Sequence, residues 1–246
     1  MRSHFPFIAL IVGILLAACS DSTATGPNTA SANLRVNRPT PSLSGHSFIP
    51  GSNHPFFPLV PGTTFHYQTH TPDGLETDAF EVTTDTKTIQ GVTVAVIHDV
   101  ASLNGEVIED TFDWFAQDDL GNVWYFGENT HTFQHGQPTG SEGSWEAGVN
   151  GAEAGIIMEA HPKVGDTYGE EFAPGVAEDK ATIVSLSARA EAPYGTFTDC
   201  LKTRNFTPLE PGAFENKYYC ANIGLVGDVD LDAPSERNLL VSITHP

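Results

Sequence analysis

The chain has 246 residues, 31 acidic against 11 basic, and a formal net charge of −20 at pH 7. That balance argues against a nucleic-acid partner, because phosphate contacts need lysine and arginine that are scarce here. The length is enough for one domain with a substantial core, in addition to a leader and a tether.

Residues 1–18 read as a secretory leader. Arg2 supplies the positive charge, and the apolar run from Phe5 to Ala18 is too short for a helix to span a bilayer core of about 30 Å. Small residues precede Cys19, where a signal peptidase would cut. Leu16-Ala17-Ala18-Cys19 resembles the lipobox of bacterial lipoproteins. The resemblance implies that Cys19 becomes a lipidated N-terminus, and each buried methylene contributes about 0.8 kcal/mol, so several chains on one residue hold a protein at a membrane. It also implies a partner, the membrane, and a place in the cell envelope: periplasmic or on the outer face of the outer membrane, with Ser20 after the cysteine favouring the outer membrane. Residues 19–54 are rich in Ser, Thr, Asn, Pro and Gly without a hydrophobic period and are expected to form a disordered tether.

The globular domain is expected at 55–246. Pro61-Gly62 marks a turn, and strand patterns follow at 64–69, 79–84, 92–100, 107–116, 122–128, 181–188, 196–206, 215–226 and 239–244. Helical periods are missing, so the predicted class is all-β: an antiparallel sandwich, or a barrel or half-barrel. Residues 140–155 read as a long glycine-rich loop. The best-defined unit is a hairpin over 112–126, with Gly121 and Asn122 in the turn, Ala116 opposite Trp124 and Trp114 opposite Phe126. Trp114, Trp124, Tyr125 and Trp145 are candidate residues for holding an apolar or carbohydrate ligand, although aromatics at strand spacing also build cores.

With Cys19 assigned to lipid, Cys200 and Cys220 remain as a pair in a compartment that permits disulfides. A hairpin register that sets Arg204 against Asn216 places them opposite each other. Between Lys87 and Lys163 no lysine or arginine occurs while 12 acidic residues accumulate, from Asp99 to Glu159. The expectation is a solubilising acidic surface. Calcium is the alternative, with Asp118 and Asp119 beside Asn122, but the spacing of a calcium loop is incomplete and a hairpin turn explains these residues; no cofactor is expected.

No zinc, phosphate-loop or nucleophile-elbow motif occurs. Gly140-Ser141-Glu142-Gly143-Ser144 lacks the strand-to-helix setting of a nucleophile, and His131 and His135 read as solvated loop histidines. Glu109-Asp110 with Asp113, or Glu170-Glu171, would be the carboxylates of a secreted hydrolase. The expected function is non-enzymatic binding, with hydrolysis and a purely structural envelope role as alternatives.

Two segments echo each other: Pro58-Leu59-Val60-Pro61-Gly62-Thr63-Thr64-Phe65 and Pro162-Lys163-Val164-Gly165-Asp166-Thr167-Tyr168. The echo suggests two related halves. Together with the segments around Cys200 and Tyr218-Tyr219-Cys220, it resembles a broad group of β-rich bacterial lipoproteins with a proline-leucine-x-proline-glycine-threonine opening. In that group a small residue and a glycine are expected where Cys220 and Asn222 stand.

Overall fold

The computed structural model describes residues 42–246; the leader, Cys19 and the tether up to residue 41 lie outside the described residues. No helix occurs among the described residues, and 18 strands follow in order. They are β1 (Phe48–Pro50), β2 (Ser52–His54), β3 (Phe57–Leu59), β4 (Thr64–Thr71), β5 (Gly74–Ile89), β6 (Val92–Leu103), β7 (Glu106–Asp118), β8 (Val123–Gln134) and β9 (Gln137–Gly140). The second series is β10 (Trp145–Glu146), β11 (Glu153–Met158), β12 (Thr167–Gly169), β13 (Glu171–Phe172), β14 (Lys180–Ala192), β15 (Gly195–Phe206), β16 (Phe214–Cys220), β17 (Gly224–Asp230) and β18 (Arg237–Thr244).

The protein is all-β and antiparallel. Sixteen strands make one sheet, nearly closed into a barrel, with β2 and β3 as a separate two-stranded unit. The path around the large sheet is β12-β14-β15-β16-β17-β18-β4-β5-β6-β7-β8-β11-β13. Its two ends, β12 and β13, are consecutive in the chain, separated by Glu170 alone, so one short segment joins both edges. Gly155 permits this closure, because a Cβ there would run into the backbone of Glu170 and Glu171.

The path divides into two meanders of six strands, β4-β5-β6-β7-β8-β11 and β12-β14-β15-β16-β17-β18. Each starts at one of the echoed segments. The Gly62 N–H donates to Val82 O at 2.7 Å and the Val82 N–H donates to Thr63 O at 2.9 Å. Gly165, Ile183 and Asp166 repeat the pair at 2.8 and 2.9 Å. The glycines sit at φ +84° and +95°, a region most side chains avoid, so the echo is a shared turn chemistry that hooks the start of each meander onto its second long strand.

Structure begins earlier than the expected boundary at residue 54. Phe48 packs edge-on against Trp124 and Phe126, both at 6.0 Å, because the apolar ring covers the outer aromatic face of the β7–β8 hairpin. Phe57 of β3 contacts Phe115 and Tyr219, closing an apolar part of the core. The expected arm at 215–226 is two strands, broken at Asn222, whose φ of +64° asparagine tolerates. Its N–H donates to Pro55 O at 2.6 Å, tying the turn to the β2–β3 unit. Cys200 and Cys220 form a disulfide with Cα atoms 4.3 Å apart, and Arg204 pairs with Asn216 as the register requires.

Between bulges, inward positions keep one parity along each strand, and the registers carry them around the barrel. One row runs Val82–Ile97–Asp113–Glu128, the next Phe65–Phe80–Asp99–Thr111–Thr130, the next Tyr67–Asp78–Ala101–Glu109. In the second half a row runs Asn238–Asp228–Lys217–Thr203–Ile183. The interior therefore mixes apolar rows with carboxyls. This corrects the acidic-surface reading: Asp99, Glu109, Asp113, Asp118, Glu128 and Glu159 are buried.

Candidate functional site

The β7–β8 hairpin pairs as expected near its turn, with Ala116 opposite Trp124 and Phe115 opposite Tyr125. Beyond that the register slips: the next pair is Asp113 with Glu128, so Phe126 and Gly127 together face Trp114. The expected Trp114–Phe126 pairing is replaced by a β-bulge. Gly127 takes φ +124°, and the backbone carbonyl of Trp145 sits where its Cβ would be. Only glycine lets β10 approach this closely. The bulge puts Glu128 in the inward row with Asp113 and sets Trp145 opposite Glu128.

At this seam lies a pocket of about 410 Å³, a size typical of small-molecule sites. Trp114, Trp145, Lys87, Glu128 and Glu146 line it, and the turns at 149–152 and 173–176 complete it. Val149 and Val176, on those turns, are 48% and 38% exposed and give it an apolar rim. Lys87 Nζ lies 3.4 Å from the centre of the Trp114 ring and donates to Glu146 Oε2 at 2.7 Å. Trp145 packs edge-on against Tyr125 at 5.3 Å, which in turn stacks on Phe115 at 4.6 Å.

The Tyr125 hydroxyl lies 2.7 Å from Asp113 Oδ1 and 2.9 Å from Glu128 Oε2. A phenol owns one hydrogen, so it donates to one carboxyl and accepts from the other. The trio therefore holds a carboxyl proton. Burial first, then the charge of Asp99 beside Asp113 and of Asp113 beside Glu128, drives both carboxyls well above the ordinary carboxylate range. The same cause, burial first, raises Asp78 to about 7 and Glu109 to about 8, each also facing neighbouring carboxylates. In the second half Lys217 is the buried cation; burial opposes its charge, but Glu215, Glu170 and Asp228 more than offset this and raise its pKa.

The other candidates have structural duties. Trp124 is buried and its Nε1–H donates to Asp118 Oδ2 at 2.8 Å. It does not line the pocket, and neither does Tyr125. Asp118 accepts four hydrogen bonds, from the N–H groups of Leu120 and Asn122, Asn122 Nδ2 and Trp124 Nε1, so both its oxygens organise the hairpin turn. Asp119 pairs with His46 at 2.8 Å instead of joining Asp118. Ser144 Oγ is bonded to both backbone groups of Thr130, at 2.8 and 3.2 Å. On β7, Glu109 and Asp113 face inward while Asp110 pairs outside with His98 at 3.0 Å, and Glu170 and Glu171 are buried at the barrel seam.

Sequence reading alone missed Lys87, Glu128 and Glu146 as pocket residues. A signal for Glu128 existed: Glu109, Thr111 and Asp113 share parity with Phe115, and Glu128 shares it with Thr130. Polar residues at core parity mark a polar interior. Lys87 and Glu146 carried no such signal, because the sheet joins them across 59 residues of chain.

No protein-family model matches the chain, and no curated protein does either. Among solved structures, a Parabacteroides distasonis ATCC 8503 protein taken to be a lipoprotein is similar at 13% identity, over 78% of this chain and 99% of that one, with a TM-score of 0.41. A likeness this distant says nothing of ligand or activity.

Proposed function

We propose that this protein is a lipid-anchored envelope lipoprotein whose barrel binds a small apolar or carbohydrate ligand without turning it over. The observation that carries the binding reading is the pocket at the bulge, where two of the four candidate aromatics, Trp114 and Trp145, meet beneath an exposed apolar rim. Anchoring rests on the Leu16-Ala17-Ala18-Cys19 segment. A hydrolytic role draws less support, since the acidic strand β7 turns Glu109 and Asp113 into the barrel and Asp110 away from them.

Two measurements test the proposal. Cys19→Ala should move the protein out of the membrane fraction or leave an uncleaved precursor; an unlipidated mature N-terminus at another residue overturns the anchor. Titration of the full chain with apolar and saccharide probes, read by tryptophan fluorescence, should show saturable binding that Trp145→Ala abolishes. Binding unaffected by Trp145→Ala would move the site elsewhere.

A further inference from the structure

This inference rests on the Trp114–Trp145 pocket being the ligand site and narrows its apolar ligand to one that carries a charge. The pocket already seats a cation, its own. Lys87 Nζ lies 3.4 Å from the centre of the Trp114 ring and donates to Glu146 Oε2 at 2.7 Å, so an aromatic face and a carboxylate converge on one ammonium. The two partners of this contact differ in freedom. The Lys87 side chain is 35% exposed and can swing out to water, whereas Trp114 is 6% exposed and stays fixed in the wall. Among the described residues that line the pocket, Lys87 is the one cation. Asn129 and Asn150, both exposed, and Ser144, whose Oγ is held by Thr130, are neutral, and Trp145 offers its ring because its Nε1–H is covered. Glu128, raised by burial, adds little charge. Once the lysine leaves, a tryptophan face and the single negative charge of Glu146 remain.

We infer that the pocket binds a monovalent organic cation, an apolar body bearing a quaternary ammonium, which displaces Lys87 from the Trp114 face and pairs with Glu146. Lys87 is then a tethered stand-in that neutralises Glu146 while the pocket is empty. The exchange favours the ligand. A lysine ammonium is compact and strongly hydrated, so it regains water on release. A quaternary ammonium has no N–H to hydrate and gains more from an aromatic face. The apolar body would lie against Val149, Pro174 and Val176. An anion would have to part Lys87 from Glu146 on a chain of formal net charge −20, whose field attracts cations instead. A neutral apolar ligand offers Glu146 nothing in place of the lysine, so it would leave the seat unused.

The test is calorimetric titration of the full chain, in a nonionic detergent, with phenyltrimethylammonium and with its uncharged isostere tert-butylbenzene. The cation should bind saturably and more tightly than the isostere. Lys87→Met, which keeps an apolar stem and removes the competing charge, should tighten the cation about tenfold and leave tert-butylbenzene within about twofold. Adding Glu146→Gln to that variant should bring the two probes to similar affinity. A measurement on the unaltered chain avoids any folding defect of the variants: saturating phenyltrimethylammonium should speed acetylation of Lys87, followed by peptide mass spectrometry, as the amine is released to water. Equal or tighter binding of tert-butylbenzene to the unaltered chain, lost in Trp145→Ala, overturns the cation inference while the pocket stands. Unchanged cation affinity in a folded Lys87→Met, or unchanged acetylation of Lys87, also overturns it. If neither probe binds either chain the inference fails, and the pocket reading fails with it when the saccharide probes are silent too.

Discussion

The barrel interior has two regions built by the same inward alternation and filled in opposite ways. One is apolar: Phe57, Phe115, Tyr219, Leu225 and Leu240 are buried among each other's neighbours in a single core cluster. The other is a run of carboxyls, Asp78, Asp99, Glu109, Asp113 and Glu128, crossing β5 to β8. The first stabilises the fold by removing apolar surface from water, with no dependence on pH. The second is tolerable only because it holds protons, and through Glu128 it reaches the pocket. Parity thus decides only what is buried; the chemistry of the buried residue decides whether that burial stabilises or titrates.

The two regions should separate most widely in their response to pH. Burial, with added repulsion from neighbouring carboxylates, raises Glu76 and Asp78 to about 7 and Glu109 to about 8 in the folded chain, and Glu170 reaches about 8 from burial although nearby Lys217 opposes it. An acid whose pKa is raised by folding holds its proton more tightly in the native state. Its contribution is fully present below the unfolded value near 4 and is lost as pH rises through the folded value. Stability should therefore fall from pH 4 to pH 8, by about 1.4 kcal/mol per pH unit for each proton the native state holds in excess. Urea melts across that range check it, and Asp78→Asn should flatten the slope by one proton. A stability maximum at pH 8 would show that the carboxyls are not protonated in the folded chain.

The next effect belongs to the apolar region. Phe115→Ala, beside Phe57 and Tyr125, should cost about 3–5 kcal/mol by transfer and cavity terms, equally at pH 5 and pH 8. Loss of the Cys200–Cys220 bridge, whose residues are 20 apart, should cost about 3 kcal/mol, with peptide mapping under non-reducing conditions finding the two linked in protein from the cell envelope. A smaller contrast divides two tryptophans at the same hairpin. Trp124→Phe leaves a buried oxygen of Asp118 short of a donor and should cost about 1–3 kcal/mol. Trp145→Phe removes a donor that bonds nothing, so it should cost less than Trp124→Phe, only the packing lost where the larger ring meets Tyr125. Equal losses in the two variants would mean that the Trp124 Nε1–H bond to Asp118 adds nothing beyond ring packing.

The fold class, most strands, the disulfide register and the pairing near the β7–β8 turn were legible in the amino-acid order. Strand parity repeats every two residues, turns carry their own residue chemistry, and Cys200 and Cys220 are joined by a nearby hairpin. The echo around Gly62 and Gly165 was legible for the same reason, since each turn needs its glycine whatever the rest of the chain does. Asp118 and Asp119, expected as turn residues with calcium as the alternative, part company in the structure. Their adjacency is local, but Asp118 is committed to the turn and to Trp124, and Asp119 leans to His46, which lies 73 residues away.

Local sequence was enough to specify an all-β domain of two related meanders, behind a segment with the marks of a lipidation signal at Cys19. It did so through features carried within a few residues of one another. The assembled barrel settled the rest: that half of the acidic stretch is buried, that the Tyr125 hydroxyl bridges the carboxyls of Asp113 and Glu128, and that Lys87, Trp114 and Trp145 surround one pocket. Those outcomes depend on register between distant strands and on a single bulge at Gly127. One residue of slip there changes which side chains meet, and no local pattern in the chain reports it.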